Sequence, residues 1–279
     1  MLEKLKRLQY GARMKLYSAD QMQTVDVAGR RTQLLRGGKG EPLVYLHSAI
    51  GETMWLPFHQ GLAAEWEVIA PAHPGFAASE GYDEIDGMED VIFHYLDLFA
   101  ALGLERFHLV GASFGGWVAA EFAVRYPERV RRLVLVDAAG LWLNEAPPPD
   151  FFARLQDAAA LRRMMLHDPD SFLSDLLFPA DPEDERIEAG LRAMQAIARI
   201  GWNPFLHNPK LRSRLRRITS PTLLLWGAND AIYPSLYAQA FREAIPDSTI
   251  QLIERCGHLP MFEQEAKFVS AVTRFLRSP

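Results

Sequence analysis

The sequence predicts an α/β fold: a mostly parallel, doubly wound eight-stranded sheet with helices on both faces and a helical cap inserted after the sixth strand. Three observations predict it. Short apolar, β-rich runs alternate with longer stretches at helical spacing, the pattern of strands covered on both faces by crossover helices. A serine flanked by glycines, Gly111-Ala112-Ser113-Phe114-Gly115, stands where one such run meets a helix. Between residues 141 and 218 the alternation stops, and helical pieces divided by prolines take its place.

The elements follow in order. Residues 22–27 and 31–35 alternate in polarity around Ala28-Gly29-Arg30, which predicts a hairpin on the same sheet. The buried strands are expected at residues 43–46, 68–70, 107–110, 133–136, 222–226 and 249–253, several of them ending in Gly, His or Asp. A helix over residues 88–101 carries Val91, Ile92, Tyr95, Leu98 and Phe99 at helical spacing and stops at Gly103. Further helices are expected at residues 117–125, 234–244 and 264–276, the first of them stopped by Pro127. The interrupting stretch opens with Ala146-Pro147-Pro148-Pro149, holds helix-like pieces at residues 151–166 and 185–200, and is divided by five further prolines. This predicts a core domain of residues 1–140 and 219–279 and a helical cap of residues 141–218.

Composition narrows the function classes. The chain has 279 residues, 49% hydrophobic and 23% charged, enough for a core domain with a modest insertion. Thirty basic against 35 acidic side chains give a net charge of −5, which offers no footprint for a nucleic acid. No apolar run approaches the roughly 18–20 residues of a membrane helix, so no stable membrane insertion is expected. The basic segment at residues 1–17 lacks the apolar stretch of a secretory leader and is expected to form a short helix laid on the domain. A single cysteine cannot form an internal disulfide, which fits a reducing cytoplasm. Cys256 is expected to be a small buried residue rather than a nucleophile.

The chemistry is carried by three separated segments. A serine hydroxyl is a weak nucleophile at neutral pH; it needs a base to take its proton and an acid to orient that base. Ser113 sits at a sharp strand-to-helix turn that exposes its hydroxyl, and small neighbours two positions either side let the turn close. The helix that follows points its free N–H groups at the place where negative charge develops. Asp230 ends the apolar run Leu225-Trp226-Gly227-Ala228-Asn229, and His258 lies in a loop before the last helix, in Arg255-Cys256-Gly257-His258. The order Ser, Asp, His along the chain matches a nucleophile-elbow hydrolase. The eight histidines show no metal-ligand spacing, and neither a phosphate loop nor a dinucleotide fingerprint is present, so no metal and no cofactor are expected.

These motifs resemble the α/β-hydrolase superfamily from about residue 20 onward, in the branch of serine esterases and meta-cleavage-product hydrolases. Pro71-Ala72-His73-Pro74-Gly75-Phe76 resembles the family's loop after the fourth strand, where many members carry an acidic residue in place of Ala72. Arg125-Tyr126-Pro127-Glu128-Arg129-Val130 resembles the segment leading to the sixth strand. The resemblance implies an oxyanion hole made by the N–H groups of Phe114 and Ala49, with Ser48 the less favoured loop donor. Here the chain departs from the family: Leu46-His47-Ser48-Ala49 stands where His-Gly is usual. His47 is expected to orient the loop. Asp137 rivals Asp230, because some members take the acid from that strand; Asp230 is favoured because Ala138-Ala139-Gly140 leads into the cap.

Trp55, Trp117, Leu141, Trp142, Ile232 and Leu259 are expected to line an apolar substrate pocket. The expected activity is cleavage of carboxylic esters of small to medium acyl or aryl groups through a Ser-His-Asp triad and an acyl-enzyme. Two alternatives stand beside it. One is a carbon–carbon bond hydrolase of aromatic ring-cleavage products, which needs fixed positive groups such as Arg192 or Arg199. The other is a non-catalytic ligand-binding protein on the same fold. The expected partner is a small-molecule ester, and the expected state a monomer or homodimer.

Overall fold

The computed structural model describes residues 21–154 and 157–278. The helix expected at residues 1–17 lies outside them. Strands β1 (Met22–Val27) and β2 (Arg30–Gly37) form the antiparallel hairpin. Its two central residues, Ala28 and Gly29, take φ of 53° and 84°, the left-handed pair that a two-residue hairpin loop requires. The remaining strands are β3 (Pro42–Leu46), β4 (Glu67–Pro71), β5 (Phe107–Ala112), β6 (Val130–Val136), β7 (Thr222–Gly227) and β8 (Ser248–Ile253). Together they make one eight-stranded sheet in the order β1-β2-β4-β3-β5-β6-β7-β8. Strand β2 runs antiparallel to both neighbours, and every pairing from β4 to β8 is parallel. Central strands β5 and β7 are buried along their whole length, whereas edge strand β8 exposes Thr249, Ile250 and Leu252.

The helices are α1 (Pro57–Leu62), α2 (Met88–Ala101), α3 (Phe114–Arg125), α4 (Ala158–Met165), α5 (Phe172–Leu177), α6 (Asp184–Gly201), α7 (Leu211–Arg214), α8 (Leu236–Ala244), α9 (Pro260–Glu263) and α10 (Glu265–Arg277). Their placement follows from handedness. The step β3–α1–β4 moves one way across the sheet, and β4–α2–β5 and β5–α3–β6 move the other. Right-handed crossovers therefore put α1 on one face and α2 and α3 on the opposite face. Helix α10 packs on α1, and α2 packs on α3, in agreement. The sense reverses between β3 and β5, so the connections leaving their C-terminal ends turn to opposite faces and open a crevice of the kind where such sheets bind ligands.

No strand of the sheet lies between β6 and β7 in sequence among the described residues; α4, α5, α6 and α7 lie in that span. Its entrance and exit are pinned together, since Gly140 N–H donates to Leu206 O and Asn208 N–H donates to Gly140 O, both at 3.1 Å. The helix-like piece expected over residues 151–166 consists of a single turn at Phe152–Arg154 and of α4, which Asp157 caps through Ala160 N–H at 2.9 Å. None of the described helices is long and apolar enough to cross a membrane.

The elbow leaves no space at its two glycines. A Cβ on Gly115 would stand 2.2 Å from the Leu46 carbonyl oxygen, and one on Gly111 would stand 2.3 Å from the Gly115 oxygen. Both obstacles are backbone, which cannot yield as a side chain can. Gly115→Ala is therefore expected to destabilise the fold by on the order of 3 kcal/mol, read as a lowered urea midpoint. A wild-type midpoint in the variant would show that the elbow is looser than its packing indicates.

Candidate active site

The turn between β5 and α3 holds Ser113 at φ 50° and ψ −112°, a strained conformation for a residue with a Cβ. Three backbone hydrogen bonds keep it there. Its N–H donates to Val136 O at 2.8 Å, and its carbonyl accepts from Trp117 N–H and Ala139 N–H, each at 3.1 Å. The Oγ lies 2.8 Å from Nε2 of His258. On the other side of the ring, Nδ1 of His258 lies 2.8 Å from Oδ2 of Asp230. Asp230 follows β7, and its Oδ1 accepts from Ile232 N–H at 2.8 Å and Tyr233 N–H at 3.1 Å. Because a carboxylate only accepts, Nδ1 carries the proton and Nε2 is free to accept from the serine hydroxyl. All three side chains are buried, with exposures of 8% for Ser113, 5% for Asp230 and 2% for His258.

His258 is also tied to the helical segment opposite. Its backbone N–H donates to Met165 O, at the end of α4, at 2.8 Å. Glu263 bridges the same two elements, accepting from Gly257 N–H at 2.6 Å and from His167 N–H at 2.7 Å. The loop that carries the histidine is thus clamped between the sheet and α4.

The loop after β3 is held by its own polar network. Glu52 accepts from both the N–H and the hydroxyl of Ser48 at 2.9 Å, and the Ser48 hydroxyl in turn accepts from Ile50 N–H at 3.2 Å. Serine in place of the usual glycine therefore adds a hydroxyl that braces the loop. The Ser48 N–H is used inside the loop, and Ala49 beside it lines the cavity. Phe114 is the first residue of α3, where the N–H has no intrahelical acceptor. His47 accepts from His73 N–H on Nε2 at 2.9 Å, with Nδ1 on Ser48 O at 2.8 Å. Burial lowers its pKa to about 4, so the ring is neutral and serves to join the β3 and β4 loops. His73 and Tyr95 extend this network, a component the sequence did not reveal.

A cavity of about 30 Å³ adjoins Ser113 and His258. Ala49, Phe114 and Ile232 line it, as the sequence suggested for the site. The other five candidate pocket residues lie elsewhere. Trp55 is buried beside Gly37 and stacks on His59, and its indole N–H donates to Gln60. Trp117 faces away from the cavity, donating to Glu121 at 3.2 Å and packing beneath Gly140. Leu141 and Leu259 are buried core residues outside the lining, and Trp142 is 39% exposed and bonded to Asn144. Aromatic identity near a motif did not distinguish wall from core. The wall comes instead from Pro148, Pro149, Phe151, Met165, Ile197 and Leu206 of the inserted segment, with Ala139 and Tyr233 of the core. The proline tract was the one visible signal for them.

Arg199 is anchored away from the cavity, on Ile85 O at 2.9 Å and over the Tyr82 ring at 4.8 Å, and Arg192 is exposed on α6. Cys256 is fully buried, and burial pushes its thiol well up, so it is not a competing nucleophile. Asp137 is hydrogen-bonded to Gly227 N–H at 2.8 Å, and the histidine contact goes to Asp230.

The chain matches the model of the alpha/beta hydrolase family over residues 43–271. It belongs to that family. It is 33% identical to a 2-hydroxymuconate semialdehyde hydrolase of a Pseudomonas species, over 89% of this chain and 91% of the relative. It is 31% identical to a 2-hydroxy-6-oxo-2,4-heptadienoate hydrolase of Pseudomonas putida, over 89% and 93% of the two chains. Among solved structures, a bacterial membrane phospholipase A superposes with a TM-score of 0.79 at 24% identity, covering 99% of this chain and 90% of that one. These likenesses make the chain a hydrolase on the alpha/beta fold.

Proposed function

We propose that this protein is a serine hydrolase of carboxylic esters with small to medium acyl or aryl groups. Ser113 is the nucleophile, His258 the base and Asp230 the acid that orients it. Residues 141–218 form the cap over the site. The observation that carries the ester reading is the wall of the cavity. Beyond Ser113 and His258, every described lining residue is apolar or, like Tyr233, aromatic, and none is cationic. A neutral substrate fits such a wall; a carboxylate buried there would lack a counter-charge.

The mechanism follows from the distances. His258 Nε2 takes the hydroxyl proton as Oγ attacks the ester carbonyl carbon. The N–H groups of Phe114 and Ala49 hold the oxyanion, and Asp230 stabilises the imidazolium. Collapse breaks the carbon–oxygen bond, and the alcohol leaves with the proton from Nε2. Water then gives a proton to His258 as it attacks the acyl-enzyme, and Ser113 leaves with that proton.

Turnover of p-nitrophenyl esters from acetate to palmitate tests this reading. A cavity of about 30 Å³ admits only a small group while the cap is closed. Acetate to butyrate esters are expected to exceed decanoate and longer esters in kcat/KM by roughly tenfold or more. A second reading has the names of the relatives in its favour: one Pseudomonas protein is a 2-hydroxymuconate semialdehyde hydrolase and the other a 2-hydroxy-6-oxo-2,4-heptadienoate hydrolase. Turnover of a 2-hydroxy-6-oxo-dienoate by folded protein that ignores every ester would replace the ester reading with carbon–carbon bond hydrolysis.

A further inference from the structure

A second buried aspartate stands close to the one the triad uses. This residue, Asp137, follows β6 at φ 43° with its N–H on Leu225 O at 3.1 Å. It is wholly buried. Its Oδ1 accepts from Gly227 N–H at 2.8 Å, while its Oδ2, also buried, receives no hydrogen bond. One carboxylate oxygen from each of Asp137 and Asp230 and a ring nitrogen of His258 all lie within 4.8 Å of one another.

Two carboxylates this close and shut away from water cannot both ionise at moderate pH. The proton belongs on the one with fewer donors. Asp230 accepts from Ile232, Tyr233 and His258, whereas Asp137 accepts from Gly227 alone. A proton on Oδ2 of Asp137 converts its unpartnered oxygen into a donor with the Asp230 carboxylate in reach.

We propose that Asp137 is a positioning residue, protonated at neutral pH, whose Oδ2–H donates to Asp230 and keeps that carboxylate aligned on His258. The inference rests on the Ser-His-Asp reading above. The donated bond fixes the Asp230 carboxylate in place, so that its other oxygen stays on the Nδ1–H of the imidazolium formed during acyl transfer. Burial, followed by the Asp230 charge, holds the Asp137 carboxyl well above the usual carboxylate range. The other titratable groups facing it act in the same sense or are neutral. Glu263 adds a further push upward, and the Cys256 thiol is kept protonated by burial.

Three measurements test the proposal. The infrared difference between wild type and Asp137→Asn at pH 7 is expected to contain the carbonyl stretch of a protonated carboxylic acid; a carboxylate signature in its place overturns the proposal. Asp137→Leu is expected to lower kcat for p-nitrophenyl butyrate by roughly 10- to 100-fold with KM little changed, and Asp137→Asn, which keeps a donor in place, to recover most of it. Equal losses in the two variants overturn the positioning role. The acid limb of kcat/KM is expected at the same pH in Asp137→Asn as in wild type, because no charge has been removed. A limb moved to lower pH would reveal a lost negative charge beside His258 and overturn the proposal. If Asp137→Leu does not fold, the infrared and pH-profile comparisons of Asp137→Asn still decide. If the wild-type protein ignores esters, the functional reading fails separately, and the infrared result still decides the protonation of Asp137.

Discussion

Ser113→Ala is expected to lower kcat for p-nitrophenyl butyrate by about 10⁵- to 10⁶-fold, the scale seen when a triad nucleophile is removed. The expectation rests on the 2.8 Å contact between Oγ and His258 Nε2, which leaves no other side chain placed to attack. Cys256 is excluded by its raised thiol pKa and its burial. The variant should fold as wild type does. Alanine meets the same strain at φ 50° that serine meets, and only one side-chain hydrogen bond is lost, so the stability change should stay within about 1 kcal/mol. Steady-state kinetics beside a thermal melt separate the two effects. A variant with activity within tenfold of wild type would remove Ser113 from the mechanism.

Asp230→Asn is expected to cost about 10³- to 10⁴-fold in kcat, with the fold retained. Asp230 meets N–H donors on both oxygens: Ile232 and Tyr233 on Oδ1, His258 on Oδ2. An asparagine offers one acceptor atom. If its oxygen stays with the two backbone donors, its NH₂ faces the imidazole and forces the proton onto Nε2. The ring then meets the serine hydroxyl as a donor and can no longer act as its base. If the amide turns the other way, two backbone N–H groups lose a buried partner. Measuring kcat alongside the urea midpoint shows which cost is taken. A kcat near wild type would mean that another group orients His258.

The clamp on the His258 loop bears on how the site opens. Met165 O holds the histidine backbone, and Glu263 ties His167 to Gly257. Moving α4 to admit a larger acyl group therefore disturbs hydrogen bonds one residue from the base. In the proposed ester hydrolase this would link the position of α4 to catalytic geometry, in keeping with the expected preference for short esters.

Much of this site was legible in the chain. The elbow is a local pattern whose cause is local: Gly111 and Gly115 pass too close to backbone for any other residue. Asp230 and His258 were readable because each follows a β run, and parallel strands deliver such ends to one edge of the sheet. The eight strands followed from the same periodicity. The pocket wall did not. Trp55, Trp117, Leu141, Trp142 and Leu259 had the right composition and neighbouring motifs, yet they face the core or solvent. Which side of a helix or loop faces a cavity depends on how the inserted segment docks on the sheet, through contacts such as Gly140 with Leu206 and His258 with Met165 that lie far apart in sequence. The same holds for Asp137. Its type and its place after a strand were visible, but only the folded chain puts it beside Asp230 with one oxygen unpartnered. Residue identity and periodicity thus determined the fold and the grouping of Ser113, Asp230 and His258, because both arise from short-range backbone and burial rules. Tertiary packing decided the shape of the cavity and where the shared proton resides, because those depend on distances between segments that sequence spacing does not set.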